Sequence, residues 1–456
     1  MTGAMSGLTR QDIAKALGTS VPEGGRALIV GAGASGEAAA KLLRASGVEC
    51  ALYDDGAHAE WSDDRSGLDF DGVADGIAFA VASPSVPYSH PLLTALRKRG
   101  VAVFSELQLA AAVCPARKIA VSGTNGKTTT VSLIEHILRA AGVNARALGN
   151  IGVPFSAEGA DMPSFGVAVV EVSSFMLEYG GISSDIAVLL NVTPDHLDRH
   201  GSFAEYARVK ARLFEAQSGG DRAVFNADDA IAAAIAGKVA ARAYYFSTRG
   251  RCRGAYVDGA DIFFDDGDGA KRVCGLDCVK LVGEHNLADC LAAVAACKLY
   301  GTGDDAIARG LSTFHAPKYR LEHLCDYRGT AIYNDSKSTN IDCTISACEA
   351  MRGTTCLIVG GYDKRLSYHN FFSRLPSGVR YVICCGDNSS SILECAPEND
   401  ERELYRTATL ERAVMLGLSF GADNLLFSPS TSSYDAYRNF EERGRHFEQT
   451  VRTFCA

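Results

Sequence analysis

The run Ser122-Gly123-Thr124-Asn125-Gly126-Lys127-Thr128-Thr129-Thr130 holds residue types suited to one task, the cradling of a polyphosphate. Glycines let the backbone approach an anion closely, amides at a helix start point at its oxygens, Lys127 supplies a cation, and the Thr128 hydroxyl can ligate magnesium. The spacing is shorter than the full GxxxxGK[ST] loop. Position 121, where that pattern needs glycine, is Val121, and what remains is GxxGKT. The short strand Lys118 to Val121 before the run and the helical stretch Val131 to Ala140 after it put the loop at a strand-to-helix turn. Gly123, Thr124, Asn125, Gly126, Lys127, Thr128 and Thr129 are thus candidate nucleotide contacts.

Two further strand ends carry groups that can serve the same nucleotide. Val167 to Val172 delivers Glu171, followed by Ser173-Ser174, and a carboxylate there suits magnesium opposite Thr128. Capping of the next helix is the other use for Glu171, although Ser173 is also available for that. Ile186 to Val192 runs into Thr193-Pro194-Asp195-His196-Leu197-Asp198-Arg199-His200. Two histidines and two aspartates crowded into one turn point to metal or substrate contact, with His196 favoured over His200. Nearer the start, Gly31-Ala32-Gly33-Ala34-Ser35-Gly36 follows a strand and precedes a helix, with Asp54 about twenty residues on. Taken alone, that turn suggests a dehydrogenase.

Holding these groups requires a particular architecture. Short apolar runs at Ala27 to Val30, Cys50 to Tyr53, Ile119 to Val121, Val167 to Val172, Ile186 to Val192, Cys356 to Val359, Tyr381 to Cys384 and Leu425 to Phe427 alternate with helical stretches. Most of these runs end in Gly, Ser, Asp or Asn. The pattern predicts an α/β fold with largely parallel sheets whose strand C-terminal ends carry the ligands. A length of 456 residues, 47% of them hydrophobic, leaves room for roughly three domains of about 150 residues. Boundaries are expected near residues 106 to 114 and at His315-Ala316-Pro317. Ala230 to Ala243 reads as a helix, and Gly250 to Leu281 as a hairpin-rich elaboration around Asp265-Asp266-Gly267-Asp268-Gly269.

The net charge of -9 would repel nucleic acid and an anionic membrane surface, so neither is expected as a partner. An anionic ligand must therefore meet local positive charge. Met1 to Gln11 lacks a basic region followed by an apolar core, and no apolar run approaches the ~18 residues of a spanning helix. A soluble, unexported protein is expected. The 15 cysteines are odd in number, and Cys343, Cys348 and Cys384-Cys385 sit inside apolar or helical runs, which fits reduced thiols. Cys274, Cys278, Cys290 and Cys297 lack the usual spacing of a zinc knuckle.

Taken together, Gly123 to Thr130, Glu171-Val172-Ser173-Ser174-Phe175, Asn191 to His200 and Gly283-Glu284-His285-Asn286 resemble the Mur ligase superfamily. Asn334-Asp335-Ser336-Lys337-Ser338-Thr339-Asn340, Gly360-Gly361-Tyr362-Asp363-Lys364 and Ser428-Pro429 through Phe440-Glu441-Glu442-Arg443-Gly444 resemble its D-glutamate-adding branch, and the match covers the whole chain. The resemblance implies three domains: a Rossmann-like N-terminal domain for a UDP-sugar over 1–112, a central P-loop-type ATPase domain over 113–316, and a Rossmann-like C-terminal domain over 317–456 for ATP and D-glutamate. It also implies a monomeric, cytoplasmic ligase of cell-wall synthesis whose reactants are ATP, UDP-N-acetylmuramoyl-L-alanine and D-glutamate. A folylpolyglutamate synthase-like ligase is the alternative within the superfamily.

Carried over position by position, the resemblance turns Gly31 to Gly36 into a UDP site rather than a dinucleotide site. Ser35, Asp54, Asp55 and Ser83 are its substrate positions, with Asn150 and His196 farther along. Lys127, Thr128, Asn286, Arg320 and Asp335 become ATP contacts, joined by Lys337. Thr128, Glu171, His196 and a carbamylated Lys210 serve two magnesium ions, and Lys127, Glu171, His196 and Lys210 form the catalytic set. Lys337 and Thr339, then Lys364, Ser433, Tyr434 and Phe440, match the positions that hold D-glutamate. The chain departs from the family pattern with Asp289 for Asn, Ser85 for Gly, Met176 for Gln, Tyr319 for His, and Tyr434 for an aliphatic or phenyl group. Asp289 adds negative charge near the expected nucleotide pocket.

Overall fold

A computed structural model describes residues 7–55, 76–150, 152–315, 318–364 and 368–455. Two residues of the expected boundary at His315-Ala316-Pro317, Ala316 and Pro317, lie outside the described residues. Among the described residues the strands form three sheets. The first has order β2-β1-β3-β4 and is parallel throughout, from β1 (Arg26–Val30), β2 (Glu49–Tyr53), β3 (Ile77–Ala82) and β4 (Ala102–Ser105).

The second sheet contains β5 (Arg117–Ser122), β6 (Ala145–Gly149), β7 (Val167–Glu171), β8 (Ile186–Leu189), β9 (Arg222–Asn226), β10 (Arg242–Ser247), β11 (Gly254–Asp258), β12 (Asp261–Asp265) and β13 (Ala270–Gly275). Its order is β13-β12-β11-β10-β9-β8-β5-β7-β6. Pairing is parallel from β6 across to β11 and antiparallel through β11-β12-β13, where the hairpin-rich segment was expected. The third sheet, order β14-β15-β19-β16-β17-β18, comprises β14 (Glu322–Tyr327), β15 (Thr330–Asn334), β16 (Thr355–Val359), β17 (Val379–Cys384), β18 (Glu403–Arg406) and β19 (Asn424–Phe427). Only its edge strand β14 runs antiparallel to its neighbour.

The first two sheets belong to one compact unit, Met1–Lys280 with Ala288–Phe314, and the third to another, Leu281–Leu287 with His315–Ala456. The central strands β7 and β8 are buried along their whole length, as parallel strands covered on both faces must be. Helix Lys127–Ala140 turns Val131, Ile134, Ile137 and Leu138 inward at helical spacing and leaves its first turn at the C-terminal end of β5. Among the described residues no helix is long and apolar enough to cross a membrane.

Three sequence expectations need correction. Ala230 to Ala243 is not one helix: Ala230–Ala236, capped by Asp229, stops at Gly237, and β10 follows with Tyr244 and Phe246 buried. Alanine favours a helix, but glycine ends it, and the aromatic residues that follow pack on a sheet. The run from Ile186 to Val192 leaves the sheet after Leu189, because Asn191 and Val192 bond to the phosphate loop and to Asp229 instead. The helix after the phosphate loop begins at Lys127 rather than Val131.

Candidate functional site

Parallel pairing brings β5, β7 and β8 side by side, so the three motif-bearing strand ends share one edge of the second sheet. Thr124 and Asn125 are held from β8: Thr124 N donates to Asn191 O at 2.9 Å, Asn125 N to Asn191 Oδ1 at 2.8 Å, and Asn191 Nδ2 back to Asn125 O at 3.2 Å. Thr124 Oγ1 donates to Thr193 O at 3.1 Å and lies 3.0 Å from the Tyr206 hydroxyl. Gly126 has φ of 83°, and a Cβ there would stand 2.1 Å from Asp289 Oδ1, so glycine is required twice over. Lys127 Nζ folds over its own loop, donating to the carbonyls of Gly123 (2.8 Å) and Thr124 (2.7 Å). Thr129 is buried.

Thr128 Oγ1 donates to Glu171 Oε2 at 2.7 Å, while Asn150 Nδ2 donates to Glu171 Oε1 at 2.9 Å. Four of the expected residues, Lys127, Thr128, Asn150 and Glu171, thus surround one sheet edge. Lys210 joins them. It is 1% exposed, and its Nζ donates to Gly123 O at 2.7 Å and lies 4.7 Å from the Tyr206 ring centroid. Burial and the neighbouring Lys127 charge pull its pKa well below that of an ordinary lysine, with Asp195 opposing.

His196 occupies the left-handed region at φ 52°; its Nε2 is 3.6 Å from Asp195 Oδ2, and its ring sits edge-on to Phe175 at 4.8 Å. His200 is buried, 3.1 Å from Ser174 Oγ, and burial lowers its pKa against the opposing pull of Glu178. Among the described residues no three His, Cys, Asp or Glu side chains converge as a metal site, the four cysteines at 274 to 297 included. Thr128 and Glu171 are hard oxygen donors in contact with one another, a pair whose chemistry fits a divalent ion.

At the first sheet, Ser35 lies in the opening turn of helix Ala34–Ala45. Asp54 Oδ2 accepts from Ala32 N at 2.5 Å, and Ser83 Oγ donates to Gly31 O at 2.9 Å. A Cβ on Gly31 would meet Ser83 at 2.8 Å. Asp55 accepts from Tyr53 OH (2.7 Å) and His90 Nε2 (2.9 Å); the Tyr53 hydrogen bond is the main cause of its lowered pKa. Ser85 and Val86 present their carbonyls to Arg199 at 3.1 and 3.0 Å, which joins the Ser83 loop to the His196 turn.

In the second unit Asp335 is buried at the end of β15 and accepts from Ser428 Oγ (2.7 Å), Ser338 Oγ (2.5 Å) and Leu321 N (3.0 Å). Burial raises its pKa to about 6. Tyr319 (φ 66°) and Leu321 (φ 48°) flank Arg320 with left-handed backbone, and Tyr319 O accepts from Lys337 N at 3.0 Å. Asn286 Nδ2 donates to Val282 O at 2.7 Å. Lys337 Nζ lies 3.7 Å from the Phe440 ring centroid, Lys364 Nζ donates to Thr339 O at 3.1 Å, Ser433 is buried, and the exposed Tyr434 meets Tyr362 edge-on at 6.2 Å.

Sequence reasoning gave no role to Asn191, Tyr206, Arg199 or Arg443. Asn191, Arg199 and Arg443 lie inside runs that carry the family resemblance, and Arg443 also shares a helical stripe with Phe440, Phe447 and Val451, where a cation is out of place.

A glycine-rich strand-to-helix loop at the end of β5, in the longest sheet, together with the mostly parallel sheets in each compact unit, fits an α/β class of P-loop-type ligases. Residues 121–297 match the Mur ligase middle domain. The UDP-N-acetylmuramoylalanine--D-glutamate ligase of Acidobacterium capsulatum is 36% identical over 94% of this chain and 96% of the relative. The protein of the same name from Gloeobacter violaceus is 37% identical over 93% and 98%. Among solved structures, the MurF ligase from Thermotoga maritima in complex with ADP has the same fold, with a TM-score of 0.60 at 14% identity and 100% of both chains covered. The chain belongs to the Mur ligase family, in the branch whose curated members bear the D-glutamate ligase name.

Proposed function

We propose that this chain joins D-glutamate to UDP-N-acetylmuramoyl-L-alanine, converting ATP to ADP and phosphate, in peptidoglycan precursor synthesis in the cytoplasm, and that it acts as a monomer. The observation that carries the reading is the Thr128–Glu171 hydrogen bond of 2.7 Å beside Lys127, on a chain 36% identical to a ligase of that name along nearly its whole length. The L-alanine carboxylate attacks the γ-phosphate and expels ADP, giving an acyl phosphate. The D-glutamate amine then forms the C–N bond, the C–O bond to phosphate breaks, and the amine sheds a proton. Both partners in the first step are anions, so cations must offset their repulsion. Lys127 does so at the loop, and Arg320 from its constrained turn.

Thr128 and Glu171 are hard oxygen donors, a set that suits magnesium. When bound, magnesium screens the phosphate oxygens and polarises the phosphorus. A buried lysine with a lowered pKa has a neutral amine available to attack carbon dioxide, which supports carbamylation of Lys210: an N–C bond forms, a proton leaves, and an anionic oxygen donor for a second ion results. His196 completes the metal side. In this reading residues 1–112 take the UDP moiety through Ser35, Asp54, Asp55 and Ser83, and residues 113–316 bind the nucleotide, with Asn150 at the substrate. Residues 317–456 supply Asp335 to ATP, Lys337 to both ATP and D-glutamate, and Thr339, Lys364, Ser433, Tyr434 and Phe440 to D-glutamate, with Asn286 also on the ATP side.

The test is phosphate release from ATP, magnesium and UDP-N-acetylmuramoyl-L-alanine with single amino acids. Release should depend on D-glutamate, and Lys127→Ala should slow it by about 100-fold or more. Equal release with L-glutamate, or turnover without any amino acid, would reject the assignment.

A further inference from the structure

Three loops of the second unit meet on one buried cation. Arg443, near the start of helix Phe440–Cys455, is 2% exposed. Its Nε donates to Ser336 Oγ at 3.1 Å, Nη2 to the carbonyls of Ser336 (2.8 Å) and Thr431 (3.0 Å), and Nη1 to the carbonyl of Ser432 (3.0 Å). Every one of these acceptors is neutral. Asp435, Asp335, Cys385 and Tyr437 face the guanidinium at longer range, and Asp435 Oδ1 is itself buried without a hydrogen-bond partner. Burial pulls the Arg443 pKa to about 10, which leaves a cation at neutral pH.

A desolvated charge with no carboxylate bonded to it is a costly way to fill a core, and an apolar side chain of the same length would serve packing alone. What the guanidinium supplies instead is geometry. Its planar fork fixes the chain at 336 to the chain at 431–432, and a Cβ on Gly361 would stand 2.9 Å from Nη1, so the loop at 360–364 packs on the same group. Ser336 Oγ continues the network by donating to Phe440 O at 2.9 Å. One residue beyond these contacts stand Lys337 and Ser433, and a little farther on are Thr339 and Lys364, which bond each other.

We propose that Arg443 is a positioning residue for D-glutamate, setting the loop of Lys337 and Thr339 against the loop of Ser433 so that both can reach one amino acid. The proposal rests on the D-glutamate ligase reading. Asp335, on the ATP side, accepts from Ser338, Ser428 and Leu321 and not from the guanidinium, so of the ATP contacts proposed in this unit only Lys337 lies on a loop that Arg443 holds.

Arg443→Lys keeps the charge and the stem but removes the fork. The expected result is a KM for D-glutamate raised about tenfold or more, with the KM for UDP-N-acetylmuramoyl-L-alanine within about twofold of wild type and the KM for ATP raised by about threefold at most. Ser336→Ala, which removes one acceptor only, should give the same pattern at about two- to fivefold, and it decides the matter if the lysine variant does not fold. A D-glutamate KM that stays at the wild-type value, or three KM values that rise together, would overturn the proposal. Wild-type protein with no D-glutamate-dependent turnover would instead refute the functional reading. In that case amide hydrogen exchange at 336–339 and 431–434 still reports on Arg443: faster exchange in Arg443→Lys supports its hold on the two loops, and unchanged exchange removes it.

Discussion

Asp289 is buried with its carboxylate pressed against Gly126, on the loop proposed to hold the triphosphate. A negative charge at that distance opposes an anionic ligand, and low local dielectric strengthens the effect. Asp289→Asn preserves the shape and removes the charge, so the KM for ATP should fall by roughly three- to tenfold, with little dependence on ionic strength because the carboxylate is buried. Steady-state ATP titrations at two salt concentrations measure this, and an unchanged KM would mean that the neighbours of the carboxylate already neutralise it. Asp335, proposed to serve ATP, makes the opposite point, that a buried charge destabilises the fold. Its pKa rises to about 6 from 3.8, with burial the main cause. The folded state therefore holds the proton more tightly than the unfolded chain, and stability present below pH 4 is lost as pH climbs through 6. Asp335→Asn should be more stable than wild type by on the order of 3 kcal/mol at pH 7, with the difference vanishing near pH 4, while ATP turnover falls at least about tenfold. Urea unfolding of both proteins at the two pH values checks the sign. At this scale the sequence was legible where a contiguous run sets the local structure, as in Gly123 to Thr129, which turns from a strand into a helix. It was silent where a role depends on a partner far along the chain: Asn191 serves Asn125 from 66 residues away, and Arg443 reaches Ser336 across 107.

Between residues and the whole chain, the unit that matters most is the turn around helix Leu197–His200, because it ties two strand ends to two different sheets. Arg199 bonds Glu178 twice, at 2.7 and 2.9 Å, with both side chains close to 90% covered, and lies 4.1 Å from the Phe175 ring centroid. The same guanidinium grips Ser85 and Val86, and Tyr179 OH adds a 2.7 Å bond to Val86 O. Ser85, one of the departures from the family pattern, takes part through its carbonyl, so its side chain is free to vary. Removing one member of a covered ion pair strands the other, at a cost of roughly 3–5 kcal/mol. Arg199→Ala should therefore lower the unfolding midpoint in urea and raise the KM for UDP-N-acetylmuramoyl-L-alanine several-fold, with the D-glutamate KM unmoved; a wild-type UDP-substrate KM would separate this clamp from binding. Strands such as β7 and β8 were readable because burial on both faces forces unbroken apolar runs. Strands β14 and β15 were not: β14 lies at the sheet's edge and mixes exposed with partly covered positions, and β15 beside it alternates buried with partly covered ones. The Ala230 to Ala243 error has the same origin: composition favoured a helix, and the sheet beside it decided otherwise.

Taken whole, the chain forms two compact units, each with its own buried clusters: one around Leu148, Val170 and Phe225 in the first, another around Leu357, Val382 and Leu426 in the second. Separate cores of this kind can melt separately, so two-state behaviour is not expected of a chain this long. The residues proposed for D-glutamate all belong to the second unit, and those proposed for the UDP moiety to the first. A ligand that binds only the folded form stabilises the unit holding its site, by about 2.7 kcal/mol at a concentration 100 times its Kd. Calorimetry should accordingly show two transitions, one moved upward by UDP-N-acetylmuramoyl-L-alanine and the other by D-glutamate, each by a few °C. Lys364→Ala should abolish the D-glutamate shift and leave the other intact, because among the side chains proposed for D-glutamate its ammonium is a cation suited to the amino acid's carboxylate. If D-glutamate raised only the transition that the UDP compound raises, the division of substrates between the two units would be wrong even with catalysis assigned correctly, since turnover alone does not report where each substrate sits.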